Sequence, residues 1–120
     1  MRGLGTDIIE IERIRASIAH HQQHFLDKIF TAGEQSYCHK YNDSTPHFAG
    51  RFAAKEAVIK ALGSGFRSDF SWLDIEILND SEGKPEVFLA EGLRIKFGNP
   101  NILISISHCR EYATATALFY

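Results

Sequence analysis

The residue types best suited to chemistry lie in the stretch FAAKEAVIKALG, residues 52–63, which has the pattern of an apolar helix that carries charges. Glu56 and Lys60 are four residues apart, so on a helix their side chains lie one above the other. A rigidly held carboxylate can bind a hard cation such as Mg²⁺, and an ammonium one turn away can contact a phosphate. An ordinary exposed ion pair, contributing about 0.2–0.5 kcal/mol, also explains this spacing. The residue pattern alone leaves both interpretations open.

A cation bound in this way needs a second carboxylate, and Asp7 is the best candidate. It follows the small-residue stretch Gly3-Leu4-Gly5-Thr6 and precedes Ile8-Ile9, so it lies near the end of a predicted strand. An Asp beside β-branched residues is unfavourable there unless it caps a helix or binds something. Capping of the helix that begins near residue 11 is the competing explanation.

The elements that position these residues follow from the hydrophobic periodicity of the chain. The first ones are a strand at 2–9, helices in IERIRASIAHHQQHF and FLDKIF, and a helix over about 32–41. Thr31 followed by Glu34 predicts a capping box at the start of that last helix.

The long helix with Glu56 and Lys60 is predicted over 47–62. Pro46 disfavours helix at the residue before it, and Gly63 can end the helix. Large apolar residues fall on one side and alanines on the other, which places Lys55 near the large apolar side. An unpaired buried ammonium is costly, so Lys55 needs a partner.

The second half has the periodicity of strands. WLDIEIL and EVFL form a predicted hairpin around the turn NDSEGKP, AEGLRIKFG is a predicted helix, and ILISISH and YATATALFY form a second hairpin. On ILISISH, His108 shares a face with alternate isoleucines. This order predicts one α+β domain over 1–120, with a small antiparallel sheet packed against the long helix.

Composition limits the classes of function. The chain has 44% hydrophobic and 23% charged residues, as in a soluble globular domain, and its net charge of −2 argues against general nucleic-acid binding. Cys38 and Cys109 have neither disulfide-framework nor metal-site spacing, which favours a reducing cytoplasm. No signal peptide or membrane span is predicted. Five histidines are expected on the solvated surface: His20, His21, His24, His39 and His47.

Three stretches together resemble the holo-[acyl-carrier-protein] synthases, the small single-domain class of 4′-phosphopantetheinyl transferases. They are GTDIIEI (5–11), GRFAAKEAVIKALG (50–63) and ISISH (104–108). The family pairs G-x-D near the start with F-x-x-K-E-A-x-x-K on a long helix, here Gly5-Thr6-Asp7 and Phe52 to Lys60. The hairpin turn EGKP fits the same class, and the resemblance covers nearly the whole chain.

The resemblance implies transfer of the phosphopantetheine arm of coenzyme A to a serine of apo acyl carrier protein, leaving adenosine 3′,5′-bisphosphate. It implies a Mg²⁺ requirement and a place in fatty acid biosynthesis. Asp7 and Glu56 match the metal ligands, Lys60 the lysine beside the coenzyme A phosphates, and His108 a histidine on the nucleotide side. Either Glu56 or a metal-bound water could deprotonate the serine.

The resemblance also implies a homotrimer with active sites at the subunit interfaces. Asp7, Glu56 and Lys60 would come from one subunit, while the Gly83-Lys84-Pro85 turn and His108 would come from its neighbour.

Other residues have looser expected roles. Arg51 and Lys55 are expected to help bind phosphates, although a structural ion pair explains Lys55 equally. Gly63 and Gly65 permit close backbone approach to a ligand, and Gly63 is alternatively a helix C-cap.

The first helix is expected to bind the carrier protein. Arg13 matches an arginine that the family uses for this, and Ile18 and Phe25 would add apolar contact. Arg15 and Lys28 could extend a basic patch that attracts acidic carriers, and a merely solvated helix face is the alternative.

Two other functions use the same residues. A metal-dependent hydrolase of nucleotide pyrophosphates needs the same carboxylates and lysine. A non-catalytic module that binds coenzyme A or a carrier protein is the alternative from a different class.

Overall fold

Five strands and four helices make up the part of the chain that the computed structural model describes, residues 1–63 and 71–120. In chain order they are β1 (Gly3–Glu10), α1 (Ile11–Ile29), α2 (Ala32–Cys38), α3 (Thr45–Leu62), β2 (Ile75–Asn79), β3 (Pro85–Leu89), α4 (Glu91–Lys96), β4 (Ile102–His108) and β5 (Tyr112–Phe119). A short 3₁₀ turn, Trp72–Asp74, precedes β2.

The strands form two antiparallel sheets. β1 and β4 flank β5, and β1 pairs with β5 along its whole length, from Gly3 opposite Phe119 to Glu10 opposite Tyr112. The hairpin β2–β3 forms a separate two-stranded sheet. The predicted α+β class and antiparallel pairing are confirmed, with the first hairpin outside the main sheet.

Helix α3 lies at the centre of the fold because it is apolar on two sides. One side packs with the hairpin and the main sheet, in a cluster that includes Ala57, Ile75 and Ala115. The other packs with α1 and α2, in a cluster that includes Phe30 and Phe48. The predicted packing of a small sheet against a long central helix is confirmed.

Two helix boundaries differ from the predictions. α3 begins at Thr45 rather than at 47, because Pro46 lies in its first turn, where the missing N–H has no helical partner to lose. The two helices predicted over 11–30 are present and together form α1, but the kink between them lies at Gln22 rather than near Phe25, because the φ of 50° and ψ of −134° at Gln22 are not helical. The capping box of Thr31 and Glu34 is present.

Glycines bring β1 into contact with the backbone of α3. A Cβ on Gly3 would lie 2.0 Å from the carbonyl oxygen of Ala61, and one on Gly5 would lie 2.0 Å from that of Ala57. Side chains alternate along a strand, so Asp7 points to the same face as these two glycines. The close approach therefore places the Asp7 carboxylate against the charged edge of α3.

Replacing Gly5 by Ala is expected to lower the free energy of unfolding by about 1–3 kcal/mol, because the new methyl group must push β1 away from α3. The added Cβ would also lie 2.7 Å from the Ala61 nitrogen. Equilibrium urea unfolding checks this. Gly33→Ala is the matched control: it lies within α2, and the atom nearest to its Cβ is a Glu76 side-chain oxygen at 3.0 Å that can move. An equal loss in both variants would contradict the prediction.

Candidate active site

Asp7 and Lys60 form an ion pair that joins β1 to α3. Lys60 Nζ lies 3.1 Å from Asp7 Oδ1 and also donates to the Thr6 carbonyl oxygen at 2.9 Å. The Asp7 side chain is only 16% exposed, whereas that of Lys60 is 52% exposed. Lys60 therefore holds a partly buried carboxylate on one side and is open to solvent on the other.

Glu56 lies beside this pair with its carboxylate half-buried. Burial is the main cause that raises the pKa of Glu56, the Asp7 carboxylate raises it further, and the Lys60 ammonium opposes both. Two carboxylates and an ammonium thus lie close together at this point of the fold. Because the two carboxylates repel each other, the site favours an additional cation.

The backbone of Asp7 is held by β5, the neighbouring strand. Thr114 Oγ1 donates to the Asp7 carbonyl oxygen at 2.8 Å, and Thr6 Oγ1 donates to the Ala115 carbonyl oxygen at 3.2 Å. Sequence reasoning did not find Thr114, because its partner lies 107 residues earlier in the chain.

Lys55 is a buried structural residue. Its side chain is 0% exposed, and Nζ contacts Glu34 Oε1 at 2.7 Å and the carbonyl oxygens of Ile29 at 2.7 Å and Trp72 at 3.0 Å. Burial lowers the pKa of Lys55, and the Glu34 carboxylate opposes this effect. Of the two expected roles, the structural ion pair is the one found, because the ammonium is fully buried among these oxygens.

Glu34 does more than cap α2. Its Oε1 accepts from the Thr31 amide at 2.8 Å, as a capping box requires, and its Oε2 accepts from the Ile77 amide at 2.7 Å. With Lys55 as its ion partner, this buried carboxylate joins α2, α3 and β2.

Arg51 links α3 to the β2–β3 turn. It is 4% exposed, its guanidinium lies 4.0 Å from the centre of the Tyr37 ring, and it donates to the Asn79 side chain. Asn79 Nδ2 in turn donates to the Gly83 carbonyl oxygen at 2.7 Å. A direct phosphate contact by Arg51 does not fit this burial, whereas a role in holding the turn does.

The remaining residues expected at the coenzyme site lie in other parts of the fold. Gly83 adopts a φ of 86° in the β2–β3 turn, followed by Lys84 and Pro85. His108 is exposed at the end of β4. Gly63 ends α3 with a φ of 79°, in agreement with the C-cap alternative. Gly65 lies outside the described residues.

The expected carrier-binding residues lie along α1. Arg13 is exposed, and Ile18 and Phe25 are half-buried. Phe25 and Lys28 line a groove of about 430 Å³. Arg15, which was expected to extend a basic patch, pairs with carboxylates of this chain instead.

The charge of Arg15 is taken up within the chain. Its guanidinium pairs with Glu12 at 2.9 Å and Asp43 at 3.1 Å, and it also donates to Thr45 at 3.3 Å. Arg15 therefore fastens α1 to the segment before α3.

Comparison with known proteins gives a consistent result. Residues 3–117 match the family model of the 4′-phosphopantetheinyl transferase superfamily. A protein of Protochlamydia amoebophila named holo-[acyl-carrier-protein] synthase is 56% identical over 117 residues, which is 98% of this chain and 96% of the relative. One of the same name from Chlamydia pneumoniae is 55% identical, over 96% of this chain and 93% of the relative.

Two solved structures have the same fold. The holo-[acyl-carrier-protein] synthase of Neisseria meningitidis superposes with a TM-score of 0.90 at 32% identity, covering 100% of this chain and 98% of that one. The Helicobacter pylori synthase, solved in complex with coenzyme A, gives 0.87 at 30% identity, covering 98% and 99%.

The fold and the site thus define a small α+β domain with a carboxylate–lysine centre. The chain belongs to the 4′-phosphopantetheinyl transferase superfamily. Its similarity to proteins named holo-[acyl-carrier-protein] synthase extends over nearly its whole length. None of the helices in the described part of the chain is long and apolar enough to cross a membrane.

Proposed function

We propose that this chain transfers the 4′-phosphopantetheine arm of coenzyme A to a serine of an apo acyl carrier protein, releasing adenosine 3′,5′-bisphosphate. The observation that carries the proposal is the grouping of Asp7, Glu56 and Lys60 at the contact between β1 and α3. The relatives named holo-[acyl-carrier-protein] synthase and the relative solved with coenzyme A support the same reaction. A role in fatty acid biosynthesis, in the cytoplasm, belongs to this proposal, and both cysteines are free thiols as a reducing compartment favours.

Asp7 and Glu56 fit a Mg²⁺ ion by the chemistry of their side chains. Mg²⁺ uses one or two protein carboxylates and fills its other positions with water and substrate phosphate. Asp7 and Glu56 would be the two protein ligands. Bound there, the ion would supply neutralisation of the negative charge on the coenzyme A pyrophosphate.

The side chains of the site have different roles in the transfer reaction. Phosphoryl-type transfer depends mainly on positioning and on stabilisation of negative charge. Lys60, half-exposed beside Asp7, is placed to contact the phosphate from which the nucleotide leaves. Glu56, which lies beside Asp7 and Lys60, is also a candidate to accept the serine proton.

A homotrimer is part of the proposal, because the outer face of the main sheet is suited to cover by another copy. This face presents Leu4, Ile8 and Leu103, which are 60%, 65% and 45% exposed. A neighbouring copy could also supply the Gly83 turn and His108, which lie apart from the carboxylate pair.

Light scattering tests the trimer. The expected result is three copies for the parent chain and a monomer for Ile8→Glu, which places a charge on the covered face. Ile95→Glu on α4, where Ile95 is 73% exposed, is the control and is expected to keep the trimer. A monomeric parent chain would contradict a site shared between subunits.

Arg13→Glu is expected to raise KM for the carrier protein about tenfold or more, because it reverses an exposed charge on the surface that would meet an acidic partner. The effect is expected to shrink with added salt. Steady-state kinetics with varied carrier protein measures it. Arg94→Glu, exposed on α4, is the control, and equal effects in both variants would remove α1 as the docking surface.

The decisive experiment for the reaction is incubation with coenzyme A, Mg²⁺ and an apo acyl carrier protein. Intact-mass spectrometry is expected to show a gain of one phosphopantetheine arm, and none on a carrier whose acceptor serine is replaced by alanine. Breakdown of coenzyme A without a carrier would identify a pyrophosphate hydrolase instead. Binding of coenzyme A without either product would identify a binding module.

A further inference from the structure

His47 lies in a cluster of rings that includes His108. Its imidazole is stacked on Tyr41, with ring centres 3.5 Å apart and planes at 15°. The His108 ring meets it edge-on, with centres 5.5 Å apart and planes at 76°, and Tyr37 does so from another side at 6.2 Å. The expectation of a solvated surface position for His47 is therefore wrong.

The two histidines of this cluster differ in how firmly they are held. His108 is exposed at the end of β4. His47 is half-buried in the first turn of α3, where its amide donates to the Ser44 carbonyl oxygen at 3.1 Å. The His47 ring is thus the fixed surface against which the His108 ring packs.

The surroundings of His47 favour its neutral form. Burial is the main cause that lowers its pKa, and His108 and Arg51 lower it further, while Asp43 opposes them. Tyr37 and Tyr41 are the other ring-bearing groups that face it. The contact of His47 with its neighbour is therefore one of ring packing.

We propose that His47 is a positioning residue for coenzyme A: its ring, fixed between Tyr41 and His108, holds His108 in the orientation that contacts the nucleotide end of the substrate. The inference rests on the proposed function, in which His108 lies on the nucleotide side. In this inference His47 does not contact the reacting phosphate. Replacing His47 is therefore expected to weaken coenzyme A binding rather than to slow the transfer step.

The test compares His47→Ala with His47→Phe. His47→Ala is expected to raise both KM and the calorimetric dissociation constant for coenzyme A about fivefold and to leave kcat within about twofold. His47→Phe keeps a flat ring and is expected to retain parent values, which separates packing from proton transfer. An unchanged affinity in His47→Ala, or a loss in His47→Phe equal to that in His47→Ala, would overturn the inference.

A double-mutant cycle with His108→Ala makes the test specific. In that background His47→Ala is expected to cause no further loss of affinity, since no ring remains to be positioned. The same fivefold loss in both backgrounds would show that His47 acts directly or through the fold, and would overturn the inference. Calorimetry measures coenzyme A binding without turnover. A failure of the proposed transfer reaction would be detected separately, in the transfer assay of the parent protein.

Discussion

Replacing Glu56 by Gln is expected to lower kcat for phosphopantetheine transfer by about 10²–10³-fold, the magnitude typical of removing one charge-stabilising group from an active site. Glutamine keeps the size of the side chain and removes its charge. Asp7→Asn is expected to have a comparable effect, because it also weakens the ion pair with Lys60. The measurement is steady-state transfer to an apo carrier protein at saturating coenzyme A and Mg²⁺.

Stability is expected to respond differently in these two variants. Glu56 is half-buried and repelled by Asp7, which is why its pKa is raised. Removing its charge is therefore expected to leave the thermal midpoint unchanged or slightly higher, whereas Asp7→Asn relieves the same repulsion but loses the ion pair with Lys60 and is expected to lower the midpoint. Glu91→Gln, exposed at the start of α4, controls for loss of a surface carboxylate and is expected to change neither property. More than a tenth of parent activity in both site variants would mean that the ligands are misassigned.

Replacing Lys55 by Met is expected to lower the free energy of unfolding by about 3–5 kcal/mol, the cost typical of leaving one partner of a buried ion pair alone. The Glu34 carboxylate would stay buried, and the carbonyl oxygens of Ile29 and Trp72 would lose a donor. Equilibrium guanidinium unfolding at one fixed protein concentration measures the change, because an oligomer's stability depends on concentration.

Lys60→Met is the matched control on the same helix. Lys60 is half-exposed, so its loss is expected to cost at most about 1 kcal/mol of stability while strongly reducing transfer. The second check is Lys55→Met combined with Glu34→Gln, which removes the uncompensated charge and is expected to recover part of the lost stability. An unfolding free energy for Lys55→Met within 1 kcal/mol of the parent would contradict the structural role.

The features that could be predicted from the sequence are those that depend on local residue pattern and on the three motifs. The α+β order, the capping box and the expected grouping of Asp7 with Glu56 and Lys60 rest on periodicity, on residue types and on the resemblance. The family is confirmed by the match over residues 3–117. The roles of the individual site residues stay predictions for the experiments above.

Local sequence pattern could not reveal contacts between residues that are distant along the chain and meet only in the fold. Glu34 has a complete local explanation as a cap, so nothing in the sequence indicates that it also neutralises Lys55 and binds the Ile77 amide. His47 has no histidine near it in sequence and meets His108 only across the fold. Arg51 has the charge for a phosphate site, and only its burial against Tyr37 and Asn79 reveals another use.

The pairing of β1 with β5 has a consequence for the order in which the molecule matures during synthesis. During synthesis, the strand that completes the backbone ladder of Asp7, Tyr112–Phe119, follows Asp7 by more than a hundred residues. Contacts so distant along the chain form slowly. The acidic centre is therefore assembled late, and a nascent or truncated chain without residues 112–119 is expected to be unable to hold Asp7 in its working position.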